Sequence, residues 1–366
     1  GTQVKGLGRY TQELLNHLAQ LEHDLDIQVL LNRQGRDEYS IKDKRFTPVV
    51  LDLPWYGIKE QIELPKAVAS LRPDFAHFPH FNAPYRALTP YVITIHDTIL
   101  FDHPSRRAST LSWPAYQAKH LLFKQHFKHV IAKAAAVLTV SAYAKSRIEH
   151  YAHGSAGKIS VTPIAPSPHL FRDQREEVLG FKRPYLLYVG NAYPHKNLSF
   201  LLRAFHALWI DKQELQLILV GKLDYFYWRL KEEAAGMDWK GGPCPVRFFG
   251  FATEQQLSSL YSQAALYVFP SLDEGFGLPP LEAMSLGTPV LSSRAASMPE
   301  VLGDAAVYFD PNSEADFSKK VEQLLTDNKQ RVQMIARGRQ QVLQYSWRHC
   351  AEQTLAVYRD VLRKRQ

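Results

Sequence analysis

The chain has 366 residues, 45% of them hydrophobic and 22% charged, a composition that indicates a folded protein of about two domains and excludes disordered, collagen-like and coiled-coil chains. A formal charge of +8 attracts anions, whether nucleic acid, anionic lipid or phosphorylated small molecules. The two cysteines, Cys244 and Cys350, form no CxxC pair, which argues against a disulfide framework or a cysteine zinc site and fits a reducing cytoplasm.

The sequence opens on a glycine-bearing stretch, GTQVKGLGRY, which reads as a turn before a helix with Tyr10, Leu14, Leu15, Leu18 and Leu21 on one face. In a doubly wound domain such a turn follows the first strand. No strand-like run precedes it, so a first N-terminal strand is expected to be absent from this sequence or supplied differently. Asp24–Asp26, an Asp-x-Asp match of the kind that can hold a divalent metal, reads as a polar helix–strand connection. Strand-like runs follow at Ile27–Leu31, Val49–Leu53, Phe75–Phe78, Tyr91–Ile95 and Val137–Val140. The stretch Val161–Asp173 holds Pro163, Pro166 and Pro168, leaves no room for a helix and reads as a linker.

A second series of strands is expected at Tyr185–Val189, Leu215–Val220, Val246–Phe249, Ala265–Phe269, Val290–Ser292 and Ala306–Phe309. Several are continuously apolar, as strands covered on both faces must be. None approaches the roughly 18 residues of a membrane span, and no secretory signal is visible. Strand–helix alternation implies parallel sheets with right-handed crossovers. The expected organisation is α/β, with Rossmann-like doubly wound domains at 1–167 and 168–346. A final helix in 347–366, with Ala351, Leu355, Tyr358 and Leu362 on one face, crosses back to the first domain.

Chemistry concentrates in three stretches. In SLDEGFGLPPLEAMSLGTPVL, Ser271–Leu291, a strand delivers the chain into a DEGFG loop, and Pro279 and Pro280 start a helix. Helix N-termini leave amide hydrogens unpaired and carry partial positive charge, and Gly275 and Gly277 let those amides approach a ligand closely, which suits a pyrophosphate. Glu274 and Glu282, eight positions apart, can each accept bidentate hydrogen bonds from vicinal sugar hydroxyls. A lone E-x7-E would be an ordinary solvated loop; the glycines, prolines and preceding strand raise it above that. In YLLYVGNAYPHKNLSFLLRAF, Tyr185–Phe205, Lys196 stands at a helix entrance past a parallel strand, where a fixed cation can neutralise a departing diphosphate; an isolated Lys there would be a surface residue. In YVITIHDTILFDHPS, Tyr91–Ser105, His96 and Asp97 end a buried strand. His96 can bond a sugar hydroxyl or share a proton, or be a satisfied structural histidine.

Together with GLGRY at Gly6–Tyr10, these stretches resemble glycosyltransferase family 4, over nearly the whole chain. AAAVLTVSAYAKSRI, VRFFGFATEQQLSSLYSQAALYVFPS and SMPEVLGDAAVYFDP add to the resemblance. It implies the GT-B fold, two Rossmann-like domains facing across a cleft, and retaining hexosyl transfer without a metal or other cofactor. EGFGLPPLEAMSLGTPV looks most like the mannosyltransferase-like branch that builds polysaccharide or lipid-linked glycans, which favours GDP-mannose over UDP-sugars. By the same resemblance the N-terminal domain binds the acceptor and the second the nucleotide sugar. His96 and Glu274 are catalytic. Gly8, Asn191, Lys196, Gly250, Phe251, Gly275, Phe276, Gly277, Leu278 and Glu282 bind the donor, with Asp97 on the acceptor side. The family usually carries Arg where this chain has Asn191; His195 is expected to compensate in part. The usual NG-type turn after the linker strand is replaced by Ala165–Pro166.

The expected partners are the donor and a glycan or lipid-linked acceptor. Lys119–Lys133 interleaves Lys119, Lys124, Lys128 and Lys133 with apolar residues and reads either as a surface for anionic lipid or as an ordinary solvated face. The former would place a cytoplasmic protein peripherally at the inner face of a membrane. A nucleic-acid binder would explain the charge, but no motif for one is present. A non-catalytic sugar-nucleotide sensor of the same fold would explain Asn191, and Glu274, Lys196 and His96 argue against it.

Overall fold

The computed structural model describes residues 6–53, 57–104, 112–168, 180–181 and 184–365. They divide into two α/β units: unit 1 from Gly1–Phe101, Ser105–Ile164 and Ser346–Gln366, and unit 2 from Asp102–Pro104 and Ala165–Tyr345.

Unit 1 begins with α1 (Gly6–Leu18). Gly6 and Gly8 lie within its first turn, not in a turn ahead of it. Tyr10, Leu14 and Leu18 are buried on one face, and that apolar stripe extends the helix back to the glycines. A strand ahead of α1 would lie outside the described residues. The strand β1 (Ile27–Leu31) leads through α2 (Arg33–Asp37) to β2 (Phe46–Val50), which pairs parallel to it. The strand expected at Val49–Leu53 therefore starts three residues earlier. As an edge strand, β2 tolerates Pro48, and Arg45 fixes its start. The Arg45 guanidinium donates to the carbonyls of Ala19 (3.0 Å), Leu21 (3.0 Å) and His23 (2.9 Å). These acceptors lead into the Asp24–Asp26 connection. Among the described residues no cluster of three His, Cys, Asp or Glu is arranged to hold a metal.

The remaining elements are α3 (Ile58–Ser70), β3 (Ala76–Phe78), β4 (Tyr91–Ile95), α4 (Ile99–Asp102), α5 (Trp113–Lys133), β5 (Ala136–Thr139), α6 (Ala142–Tyr151) and β6 (Ile159–Val161). Strands β3–β4–β5–β6 form a second parallel sheet. All five residues of β4 are buried, and Ile93 and Ile95 pack with Phe127, Val130, Ile131 and Ile148. Three-residue β6 has no counterpart in the sequence reading, being too short to show alternation; pairing with β5 creates it.

Unit 2 runs β7 (Tyr185–Val189), α7 (Leu198–Trp209), β8 (Gln216–Val220), α8 (Tyr225–Ala235), β9 (Val246–Gly250), α9 (Glu254–Gln263), β10 (Leu266–Phe269), α10 (Leu278–Ser285), β11 (Val290–Ser293), α11 (Met298–Leu302), β12 (Ala306–Phe309), α12 (Glu314–Thr326) and α13 (Asn328–Val342). Its six parallel strands lie in the order β12–β11–β10–β7–β8–β9. The chain winds outward from β7 to β9, returns beside β7 with β10, and winds outward the other way. Both faces are covered by helices, so Leu186, Leu187, Leu217, Ile218, Leu219 and Val268 are all buried.

The last helix, α14 (Trp347–Arg363), belongs to unit 1. Its Tyr358 hydroxyl lies 2.6 Å from His77 Nδ1, and His77 Nε2 lies 2.8 Å from Thr94 Oγ1, which in turn meets the Tyr10 hydroxyl at 3.2 Å. One imidazole thus joins α14, β3, β4 and α1. Burial holds its pKa down to about 3, and desolvation likewise brings His80 and His96 to about 4 and His195 to about 3. All four must stay neutral in the native fold, whereas in the unfolded chain they titrate near pH 6.5. Their stabilisation is therefore complete above pH 6.5. It is lost as pH falls toward 4, at roughly 1.4 kcal/mol per pH unit for each histidine. Urea unfolding at pH 7, 6 and 5 is expected to show this loss, and His77→Gln to lower stability at pH 7 while flattening the dependence.

Candidate functional site

In an open parallel sheet the crevice for ligands lies beyond the carboxyl ends of the strands where the winding reverses. In unit 2 that point is between β7 and β10. The loops leaving these strands carry the two most chemically pointed stretches of the sequence. They are joined through backbone, since the Leu272 N–H donates to the His195 carbonyl at 2.7 Å. Lys196 Nζ reaches Glu274 Oε1 at 2.5 Å, with both side chains largely withdrawn from solvent. Serine hydroxyls hold the acidic loop from beneath: Ser297 Oγ donates to the Glu274 carbonyl at 2.9 Å and Ser293 Oγ to that of Ser271 at 2.5 Å.

The loop turns into α10 through Gly277, whose φ of +89° is left-handed and whose missing side chain leaves room for the Met298 methyl. Pro279 and Pro280 occupy the first turn and carry no N–H, so the backbone N–H groups nearest the helix start are those of Gly275–Leu278. Phe276 contributes only backbone: its ring is buried edge-on against Tyr345 at 5.3 Å and anchors the loop. Glu282 lies one turn into α10. It is buried, and Oε2 accepts a hydrogen bond from the Tyr261 hydroxyl at 3.0 Å.

Two further loops, after β8 and β9, close on the same edge. The Gly221 N–H donates to the Gly250 carbonyl at 2.9 Å, and a side chain at Gly221 would strike the Gly190 carbonyl. The Tyr227 hydroxyl donates to that same carbonyl at 2.8 Å. Past Gly250, Phe251 stands 71% exposed, a free aromatic face at the end of β9. Asn191 is an exposed turn former, its side-chain oxygen accepting from the Tyr193 N–H at 3.3 Å. His195 does not make up for the arginine missing there. It is buried, and desolvation first, then Lys196, push its pKa down to about 3, so it carries no charge near neutrality. Lys196 and the loop amides then carry the positive field around Glu274.

The other expected residues belong to unit 1. His96 Nε2 lies 3.0 Å from the Pro79 carbonyl, and its ring meets Tyr10 edge-on at 4.6 Å. A carbonyl only accepts, so Nε2 carries the proton and Nδ1 is an acceptor. Burial lowers the pKa to about 4. His96 is thus suited to accept from a hydroxyl, not to act as a cation. Asp97 Oδ1 accepts from the Ile99 N–H at 3.1 Å and starts α4. Gly8 lies in the first turn of α1.

Sequence reading missed three supports. Asp273 is 4% exposed and lies 3.5 Å from His103 Nε2, which sits in the Asp102–Pro104 segment of unit 2. Tyr261 and Ser297 hold Glu282 and Glu274 through single hydroxyls. Asp273 and His103 stand inside motif stretches and were visible in them; Tyr261 and Ser297 are distant in sequence and gave no signal.

Two family models match the chain in tandem: "Glycosyltransferase Family 4" over residues 4–165 and "Glycosyl transferases group 1" over residues 171–341. O-antigen chain mannosyltransferase B of Escherichia coli is 29% identical over 383 residues, which span 97% of this chain and 96% of that protein. O-antigen chain mannosyltransferase RfbU of Salmonella typhimurium is 32% identical over 244 residues, 64% of this chain and 65% of that one. Among solved structures, sucrose-phosphate synthase from Thermosynechococcus elongatus superposes with a TM-score of 0.72 at 18% identity, covering 98% of this chain and 94% of the other. That likeness shows the fold, GT-B with two Rossmann-like domains. The two family models, over residues 4–165 and 171–341, place this chain in glycosyltransferase family 4.

Proposed function

We propose that the chain transfers mannose from GDP-mannose to a glycan or lipid-linked acceptor, with retention of anomeric configuration and without a metal ion. The observation that carries this reading is the Lys196–Glu274 pair at the winding switch of unit 2, beside the N-terminus of α10. Departure of a nucleoside diphosphate builds negative charge on phosphate oxygen. Lys196 has three N–H donors, so it can keep Glu274 and still turn toward phosphate, while the Gly275–Leu278 amides face the same charge. Glu274 then lies next to the leaving group, where a carboxylate contacts the hexose. Glu282, fixed by Tyr261, is set for the ribose hydroxyls, and Phe251 offers a face to the base. Retention follows when the acceptor hydroxyl attacks from the side of the departing phosphate and gives that phosphate its proton. His96 Nδ1 accepts from a sugar hydroxyl. Mannose is favoured by the names of the two O-antigen mannosyltransferases above, GDP by the family resemblance of the EGFGLPPLEAMSLGTPV stretch alone, and a lipid-linked acceptor suits work at the inner face of a membrane.

Glu274→Gln keeps shape and an acceptor for Lys196 but removes the charge; kcat is expected to fall about 100-fold or more with donor affinity little changed. Glu282→Ala is expected to raise the donor KM by about 10- to 100-fold, the worth of a hydrogen bond to a charged group, with a smaller effect on kcat. In a thermal-shift panel of sugar nucleotides, GDP-mannose at about 100 times its Kd is expected to raise the melting temperature by about 5 °C, more than UDP-sugars do. Turnover is expected to persist in EDTA; complete loss restored by a divalent ion would overturn the metal-free mechanism.

A further inference from the structure

Three buried tyrosines of unit 2 converge on one short stretch of backbone at the end of β7. The Tyr267 hydroxyl, from β10, donates to the Val189 carbonyl at 3.3 Å. That of Tyr227, from α8, donates to the Gly190 carbonyl at 2.8 Å, and that of Tyr188, from β7 itself, to the Asn191 carbonyl at 2.8 Å. All three residues are 1% exposed or less. Burial raises their pKa values well above the ordinary tyrosine value, and the charge of Glu274 adds to the rise at Tyr188 and Tyr267. Each hydroxyl therefore keeps its proton and remains a donor.

A trans peptide unit is planar, with its N–H antiparallel to the carbonyl of the preceding residue. A carbonyl drawn to a buried hydroxyl thus turns the next N–H the opposite way. In the Val189–Gly190 unit the sheet uses that N–H, since Gly190 donates to the Val220 carbonyl at 2.9 Å. In the next two units the N–H groups are those of Asn191 and Ala192, and neither has an acceptor among the described residues. Asn191 is exposed and Ala192 half-buried. The Asn191 side-chain oxygen then takes the Tyr193 N–H at 3.3 Å, which limits the run to two donors. The stretch is also packed tightly: a side chain at Gly190 would strike the Tyr188 hydroxyl. A loop that only had to meet water would need no such pinning, because water satisfies an exposed amide in any orientation.

We propose that the Asn191 and Ala192 N–H groups form a two-donor nest for a phosphate oxygen of the donor diphosphate, and that Tyr188 and Tyr227 are positioning residues that aim it. Consecutive backbone N–H groups presented together bind anions. They lie at the carboxyl end of β7, where the winding reverses, in the loop that goes on to Lys196. N–H groups only donate, and Lys196 adds positive charge to the same loop, so the fit is to an anion. Donors already held in place need no reorganisation as charge builds on a leaving phosphate. The inference rests on the nucleotide-sugar reading above and names the backbone groups that serve it.

The dipeptide Asn-Ala occurs twice in the sequence, at Asn82–Ala83 and Asn191–Ala192. In the full chain, isotope labels on asparagine carbonyl carbon and alanine nitrogen therefore give a carbonyl-filtered amide spectrum of Ala83 and Ala192 alone. Pyrophosphate, a probe independent of the base, and GDP are titrated separately. Each is expected to move the Ala192 amide proton downfield, as a hydrogen bond to phosphate does, and to leave Ala83 in place. Tyr188→Phe/Tyr227→Phe is expected to weaken pyrophosphate binding about tenfold or more and to abolish the Ala192 displacement at saturation. A tyrosine pair that merely stabilised the fold would lower the melting temperature and leave that displacement intact. Ala192→Pro deletes one N–H without altering a buried side chain, and is expected to weaken binding by a similar factor. An Ala192 signal that neither bound probe moves overturns the nest and leaves the transferase reading standing. So do variants that bind pyrophosphate like the parent. A parent chain that binds neither probe overturns both.

Discussion

A lysine and a glutamate held 2.5 Å apart and mostly out of water are costly unless the surrounding structure fixes both, because desolvating two charges consumes much of what their attraction returns. Unit 2 supplies that fixation through topology. The two strands that meet where the winding reverses, β7 and β10, each end in a loop, and the loops share a backbone hydrogen bond from Leu272 to His195. Ser293 and Ser297 secure the acidic loop, and Gly277 turns it directly into α10. The result is a compact cation beside the positive end of α10, a field that suits the departing diphosphate of the function proposed above.

Beside the same pair stands Asn191, in the place where the family resemblance led one to expect an arginine. His195 cannot take over, because burial keeps it neutral. Asn191 shapes the turn through its side-chain oxygen, and the field is left to Lys196 and the helix. Neutral histidines recur in unit 1, where His77 ties the C-terminal helix to the sheet through Tyr358 and Thr94. His96 is locked into one tautomer by the Pro79 carbonyl. In each case a ring nitrogen that must donate or accept, and must not charge, is held by a buried partner.

Much of this was legible before any coordinates. The apolar runs at Tyr91–Ile95 and Tyr185–Val189 became strands at those positions because a strand covered on both faces writes its burial into nearly every residue. Glu274, Gly277 and Lys196 were legible because loop chemistry at the end of such strands is local: the glycines, prolines and charges that make it stand next to one another in sequence. What was misread also has local causes. The strand expected at Val49–Leu53 is Phe46–Val50 and takes in Pro48, which is tolerable at a sheet edge, and edge position is not visible in sequence. Three-residue β6 exists only through its partner β5.

The sequence by itself determined the alternation of strands and helices, the chemistry of the two loops and the family. All three depend on residues close together along the chain or on motif content. Only the tertiary structure decided that Lys196 pairs with Glu274, that Tyr261 holds Glu282 and that His195 is neutral. Those facts concern residues 21 to 78 positions apart, or depend on how much water surrounds a group. Neither distance in space nor solvation is encoded by spacing along the chain; both follow from strand order and from the packing it imposes.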